Sequence, residues 1–170
     1  NDDGLRWFLK DVWPLVLTRL PDARLRVIGR EPQPALLRLT DTLTDSVSVE
    51  GFVPDLTDAL GSAAAMINPL RFGSGIKLKV IEALACALPV VSTPVGAEGI
   101  DSGAGTGVLV GQTPEEFADL LASVVEPARN AQLSADAHAH FAQTYSRPAV
   151  FEAYDEAFTL PTSGTQPSSL

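Results

Sequence analysis

Leu5, Phe8, Leu9, Val12, Trp13, Val16, Leu17 and Leu20 recur at steps of three and four residues, the rhythm of a helix with one apolar face. Pro14 falls inside this pattern and is expected to kink or divide the helix. Beyond it the period shortens. Leu25-Arg26-Val27-Ile28 reads as a strand ended by Gly29-Arg30, and Pro34 to Thr42 as a short helix. Val47 to Val49 is a strand closed by Gly51-Phe52-Val53-Pro54, followed by a helix from Asp55 to Leu60 with Asp55 as N-cap. Ala64 to Ile67 is a strand stopped by Asn68-Pro69, and the loop Leu70 to Gly75 leads into a helix over Ile76 to Ala87. Pro89 to Ser92 and Val108 to Val110 are further strands. Helices are expected over Pro114–Val125, Ala128–Tyr145 and Pro148–Leu160, and the tail from Pro161 to Leu170 is expected to be disordered.

Short apolar strands alternating with helices predict a parallel sheet covered on both faces, hence an α/β, Rossmann-like domain over residues 1–160. Such a unit normally opens with a strand, whereas this chain opens with a helix. A first strand is therefore expected upstream. The first residue is Asn and no signal peptide is visible, so the chain is expected to be a processed product or a piece of something larger.

Composition narrows the function classes. Of 170 residues, 45% are hydrophobic and 19% charged, which excludes a disordered chain. No apolar run approaches the ~20 residues of a membrane span. The lone Cys86 excludes an internal disulfide framework and a cysteine zinc site, and fits a reducing, cytoplasmic setting. The net charge of −9 argues against nucleic acid as a partner. Residues 80–170 hold 11 acids and only Arg129 and Arg147 as bases, yet Arg71, Lys77 and Lys79 fall within nine residues that contain no acid. In so acidic a protein, that stretch is a candidate anion site.

Asn68-Pro69-Leu70-Arg71-Phe72-Gly73-Ser74-Gly75-Ile76-Lys77 lies between a strand and a helix. Ligands of open α/β sheets bind at such carboxyl ends, and a helix N-terminus favours phosphate. A flexible glycine turn with solvated lysines explains the same residues equally well. Gly73-Ser74-Gly75 starts a dinucleotide fingerprint, but Leu78 stands at its third glycine and Thr93 where its acid would be. No Gly-Lys-Ser/Thr occurs, so a P-loop is excluded. Between Ile76 and Leu88 only Lys77, Lys79 and Glu82 are polar, which predicts a helix buried nearly all round. An acid there is either an ion-pair partner of Lys79 three residues back or an acceptor for a ligand's hydroxyls, and the helical pattern slightly favours the pair. His138 and His140 sit on different helix faces and make no metal pair, while Trp7 and Trp13 fall at core spacing.

The run from Pro69 to Thr93, PLRFGSGIKLKVIEALACALPVVST, resembles the donor-site signature of family 4 retaining glycosyltransferases of two-domain GT-B architecture. The likeness extends back through Leu25-Arg26-Val27-Ile28-Gly29 and Val49-Glu50-Gly51-Phe52-Val53, and forward through Val95-Gly96-Ala97-Glu98-Gly99-Ile100. It implies that the chain is the C-terminal, donor-binding half of such an enzyme. Gly29 and Arg30 would then lie beside the nucleobase, and Phe52 and Val53 at its edge, with Val53 offering backbone hydrogen bonds. Arg71, Gly73, Ser74, Gly75, Ile76 and Lys77 would wrap the sugar and diphosphate. Glu82 matches the second Glu of the family's E-x7-E motif and would bind the ribose hydroxyls, which moves it to the functional side.

Two departures qualify the match. The motif's first Glu falls at Ser74, and the family's G-R-x-x-x-x-K segment has no counterpart here. The resemblance implies a nucleotide-diphosphate sugar as donor, no cofactor or metal, and a partner in the absent N-terminal acceptor domain, through which any peripheral membrane contact would be made. The parent would be a glycosyltransferase of hexosyltransferase type, and the isolated chain inactive. The alternatives are a non-catalytic nucleotide-binding module and a GT-B-type nucleotide-sugar epimerase.

Overall fold

The computed structural model describes residues 2–30, 32–43 and 45–158. The chain opens with helix α1 (Asp2–Trp7), a π-helical turn (Phe8–Val12) and helix α2 (Trp13–Arg19). Pro14 has no N–H to donate, and its ring crowds the carbonyl four residues back. The ladder widens one step ahead of it, with the Trp13 N–H donating to the Phe8 carbonyl. The proline thus inserts a π turn and keeps the apolar face continuous: Phe8, Leu9, Val12, Trp13 and Val16 are all buried.

Strand β1 (Leu25–Ile28) runs parallel to β2 (Val47–Glu50), with Leu25 opposite Val47 and Ile28 opposite Glu50. Between them lie α3 (Pro34–Thr40) and a 3-10 turn (Asp41–Leu43). A second parallel sheet has the order β3 (Met66–Asn68), β4 (Val90–Ser92), β5 (Val108–Val110). Helix α4 (Thr57–Gly61) precedes β3, α5 (Leu78–Ala85) follows it, and α6 (Pro94–Ala97) follows β4. After β5 come α7 (Pro114–Val124), α8 (Pro127–His140), a π turn (Phe141–Tyr145) and α9 (Arg147–Phe158). No described helix is long and apolar enough to cross a membrane.

Alternation along the strands divides the core in two. Ile67, Val91 and Leu109 pack with Phe8, Trp13 and Phe117, under α2, α3 and α7. Met66, Val90 and Val108 point the other way, to Val80, Leu84 and Ala137 of α5 and α8. Phe8 meets Phe117 edge-on with ring centres 5.6 Å apart, a contact worth about 0.5–1.5 kcal/mol beyond burial. The expected α/β sheet with helices on both faces is therefore present, although among the described residues no ladder joins β1 to β3.

Several expected boundaries move. The strand expected at Ala64–Ile67 begins at Met66 and takes in Asn68. Asp55 is not the cap of α4, whose N-cap is Leu56; its carboxylate instead accepts the Thr57 N–H at 2.8 Å, one residue too early. The helix expected from Ile76 to Ala87 spans only Leu78–Ala85, and Ala87 turns left-handed at φ 56°. The tail expected to be disordered lies outside the described residues.

Gly107 joins this scaffold at a point with no space. It has φ +71°, and a Cβ there would sit 2.5 Å from the Ala137 Cβ and 2.6 Å from its Cα, on α8. Gly105 has φ +77° but nothing within 4 Å. Gly105→Ala should therefore cost only about 1–2 kcal/mol, the penalty of a Cβ in left-handed backbone. Gly107→Ala should add about 1–3 kcal/mol of overpacking. Urea unfolding of the two variants checks this, and equal losses would refute the packing account.

Candidate functional site

Because the strands within each sheet are parallel, their carboxyl ends open on a common edge. At that edge β3 ends in Asn68, fully buried, whose amide Nδ2 donates to the Gly96 carbonyl at 2.8 Å. The Asn68 carbonyl accepts the Thr93 N–H and the Ser92 hydroxyl, each at 3.2 Å. Thr93 caps α6 by accepting the Gly96 N–H at 3.0 Å, and its hydroxyl donates to the Leu70 carbonyl. A side chain at Gly96 would meet Ser92 Oγ at 2.4 Å. The first residues of the loop after β3 are thus pinned from the end of β4.

Beyond Leu70 the loop is open. Arg71 through Ile76 are exposed, with Gly73 at φ +122° and Gly75 at φ +96°. A Cβ at either glycine would meet nothing within 4 Å, so the turn needs them for backbone conformation and not for room. Lys77 closes the loop as N-cap residue of α5, in non-helical backbone at φ −89°, ψ 64°. Its side chain folds back and is only 5% exposed, with Nζ donating to the Gly73 carbonyl at 3.3 Å. The Lys77 carbonyl accepts the N–H groups of Val80 and Ile81. Burial, and secondly the charge of Lys77, hold the Lys79 ammonium below the usual lysine range. Two cations, two permissive glycines and a helix N-terminus therefore share one corner.

Gly29 and Arg30 follow β1, and the Arg30 guanidinium stacks 4.1 Å over the ring of Phe52, which follows β2. Val53 beside it is half-buried. The structure brings Arg30 and Phe52 together, and likewise Gly73 and Lys77. Arg71 turns toward α1, its guanidinium 3.6 Å from Asp3.

One expectation about α5 is overturned, and one of the two alternatives for Glu82 is not seen. The helix is not buried all round: Leu78, Glu82, Ala85 and Cys86 form an exposed stripe. A short run of Ala and Leu carries no polar marker of a solvated face, which is why the pattern misleads. The Lys79–Glu82 ion pair does not form: Glu82 is exposed, and its carboxylate joins no ion pair or hydrogen bond among the described residues. Ser74 and Ile76 are exposed in the loop. Asn68, Ser92, Thr93 and Gly96 were not singled out as site residues. The Thr93-Pro94 pair, a capping residue before a helix-starting proline, was the available sign of α6.

The chain matches the model of the family described as Glycosyl transferases group 1 over residues 1–126. It is 31% identical to a D-inositol 3-phosphate glycosyltransferase of Rhodococcus opacus over 90% of this chain and 38% of that protein. It is 27% identical to an uncharacterised 44.6 kDa protein of the cps region of Klebsiella pneumoniae, over 69% of this chain and 32% of that one. The chain thus spans about a third of the length of these relatives. In fold it resembles the crystal structure of TarM, with a TM-score of 0.76 at 16% identity over 92% of this chain and 32% of that one. It also resembles Anabaena HepE solved in complex with UDP, with a TM-score of 0.69 at 16% identity over 86% and 44%. WaaG, a glycosyltransferase involved in lipopolysaccharide biosynthesis, has a TM-score of 0.63 at 17% identity over 90% and 45%. With the Rossmann-like fold of a GT-B glycosyltransferase domain and a family match across most of its length, the chain belongs to the group 1 glycosyl transferases.

Proposed function

We propose that this chain is the C-terminal, nucleotide-sugar-binding half of a retaining, family 4 hexosyltransferase. The observation that carries the reading is Lys77. Lys77 as a whole is 5% exposed, and its ammonium has one carbonyl at 3.3 Å as its hydrogen-bond partner among the described residues, which leaves its charge incompletely compensated. Gly73 and Gly75 leave room for a ligand's oxygens to approach the backbone, and the N-terminus of α5 adds partial positive charge. A diphosphate supplies the missing anion. Neighbours of the same fold were solved with UDP, with UDP and glucose, and with UDP and GlcNAc, which supports a nucleotide donor.

On this reading Arg30 and Phe52 form the nucleobase edge, with Gly29 and Val53 beside them. Arg71, Gly73, Ser74, Gly75, Ile76 and Lys77 hold the diphosphate and sugar. Glu82, exposed and unpaired, offers two carboxylate oxygens to the vicinal ribose hydroxyls. As the sugar–phosphate bond breaks, charge grows on the departing diphosphate, and Lys77 together with the helix N-terminus stabilises it in place. The acceptor would be held by an N-terminal domain of the same cytoplasmic protein, so that the 170-residue chain alone binds donor without transferring it.

Titration calorimetry on the chain should give tighter binding of UDP or GDP than of the matching nucleoside, weakened by salt. Lys77→Ala should lower diphosphate affinity roughly tenfold or more, the scale of a hydrogen bond to a charged group, and leave nucleoside affinity unchanged. Equal affinity for nucleoside and diphosphate in the wild type would dismiss the phosphate site.

Glu82→Gln should cost a comparable factor, because hydrogen bonds to a charged acceptor contribute about 1.5–3 kcal/mol. The variant should also stop distinguishing a 2′,3′-dideoxy nucleotide from its parent. Since Glu82 is exposed and unpaired, thermal stability should barely change. Undiminished discrimination by the variant would remove Glu82 from the site.

A further inference from the structure

A pocket of about 310 Å³ opens at the carboxyl edge of the β3-β4-β5 sheet, apart from the glycine-loop corner. The loop after β3 enters its wall only through Leu70 and Arg71, so none of Gly73 to Lys77 borders it. Its apolar surfaces are flat: Trp7 at the end of α1, Pro94 at the start of α6 and Pro114 at the start of α7. The volume lies at the small end of the ~300–1,000 Å³ range of small-molecule sites, which suits one ring better than a whole nucleotide sugar.

These walls are held in place. Trp7 meets Phe117 edge-on with ring centres 6.0 Å apart. Pro94 and Pro114 open helices capped by Thr93 and Thr113, whose hydroxyls accept the Gly96 and Glu116 N–H groups. The Gln112 N–H donates to Glu116 Oε2 at 2.8 Å, which fixes the backbone there. The polar groups on the same walls are largely uncommitted. The Gln112 side-chain amide and the Trp7 indole N–H make no hydrogen bond among the described residues. Thr93 alone is fully engaged, with Leu70 and Gly96. The charge of Arg71 is offset by Asp3 at 3.6 Å, and no carboxylate borders the pocket among the described residues.

Flat apolar faces beside amide, indole and guanidinium donors, with the one cation already paired, match a particular ligand chemistry. A pyranose ring carries C–H groups on its faces and hydroxyls around its rim. The faces pack on an indole or a proline ring, and the hydroxyls both donate to and accept from a Gln amide. A free phosphate would find one ion-paired Arg and no second cation, and a wholly apolar ligand would leave the donors unpaired. We propose that this pocket holds a neutral pyranose ring of the acceptor, so that the donor-binding half also supplies one wall of the acceptor site. The lining separates acceptor from donor. A donor's sugar is bonded to its diphosphate, which the function proposed above puts on Gly73 to Lys77, and none of these lines the pocket. Arg71 to Gly73 spans at most about 7 Å of backbone, so the two ligands are neighbours across the root of the loop. The assignment to an acceptor rests on that function; the ring site itself does not.

The test is heteronuclear NMR on the 170-residue chain, titrated with the methyl α-glycosides of glucose, mannose and galactose. A single ring in a half-open site binds with a Kd of about 1 mM or weaker, so the titrations run to tens of millimolar. At least one glycoside should shift the Trp7 indole and Gln112 side-chain resonances, both without UDP and with UDP saturating. UDP alone should move Gly73 and Gly75 instead. Gln112→Ala should weaken the glycoside about threefold or more, the scale of a neutral hydrogen bond. Its thermal stability should not change, because the side chain is exposed and without a partner among the described residues. Trp7→Leu should abolish the shifts at Gln112; if that variant does not fold, Gln112→Ala decides. Silence at Trp7 and Gln112 with all three glycosides would overturn the proposal, as would undiminished binding by Gln112→Ala. So would UDP-glucose moving these two resonances and displacing the glycoside where UDP does neither, since the donor's own sugar would then fill the pocket. If a glycoside shifts Trp7 and Gln112 while UDP leaves Gly73 and Gly75 unmoved, the ring site stands and the donor reading falls.

Discussion

Parallel pairing is the constraint from which the rest of this structure follows. It forces the loops after β3, β4 and β5 to emerge at one edge, and it requires a helix over each face to cover residues that alternate from one core to the other. Asn68 and Thr93 then convert this geometry into a fixed corner. With no solvent to compete, their hydrogen bonds tie the end of β3 to the start of α6 and to the Leu70 carbonyl. The glycine loop that follows is free only from Arg71 onward. Its exposed part begins there, while its root belongs to the core.

The electrostatics of that corner follow from its placement. A protein of net charge −9 holds Lys77 and Lys79 next to each other at a helix N-terminus, where the helix dipole disfavours cations. Stability alone would not select this arrangement. Lys77 folds its stem inward and gains one long hydrogen bond to Gly73, and Lys79 loses proton affinity to burial and to its neighbour. On the function proposed above, an anion between the glycine loop and Lys77 would offset the charge gathered there.

The alternation of strands and helices was legible in the sequence because period and punctuation agree there: β-branched runs end in Gly or Asn-Pro, and helices begin with Pro after a capping residue. What was not legible depends on long-range partners. Nothing local tells that Asn68 continues β3, because its side chain is satisfied 28 residues away at Gly96. The exposure of Glu82 was hidden by an alanine-rich helix whose two faces look alike in hydropathy. Nor does the pattern show that Lys77, inside the helix expected from Ile76, stands before the first turn of α5. The candidate residues Arg30 and Phe52, although 22 positions apart in the chain, meet because β1 and β2 are in parallel register.

The π turn ahead of Pro14 solves a packing problem that the sequence poses. A straight helix broken at Pro14 would swing Leu5 and Phe8 away from the line of Trp13 and Val16. The widened turn instead keeps Phe8, Trp13 and Val16 on one apolar face. Phe8 then meets Trp13 at 6.0 Å and Phe117 at 5.6 Å between ring centres, so the irregular turn is what lets the opening helices and α7 share one core.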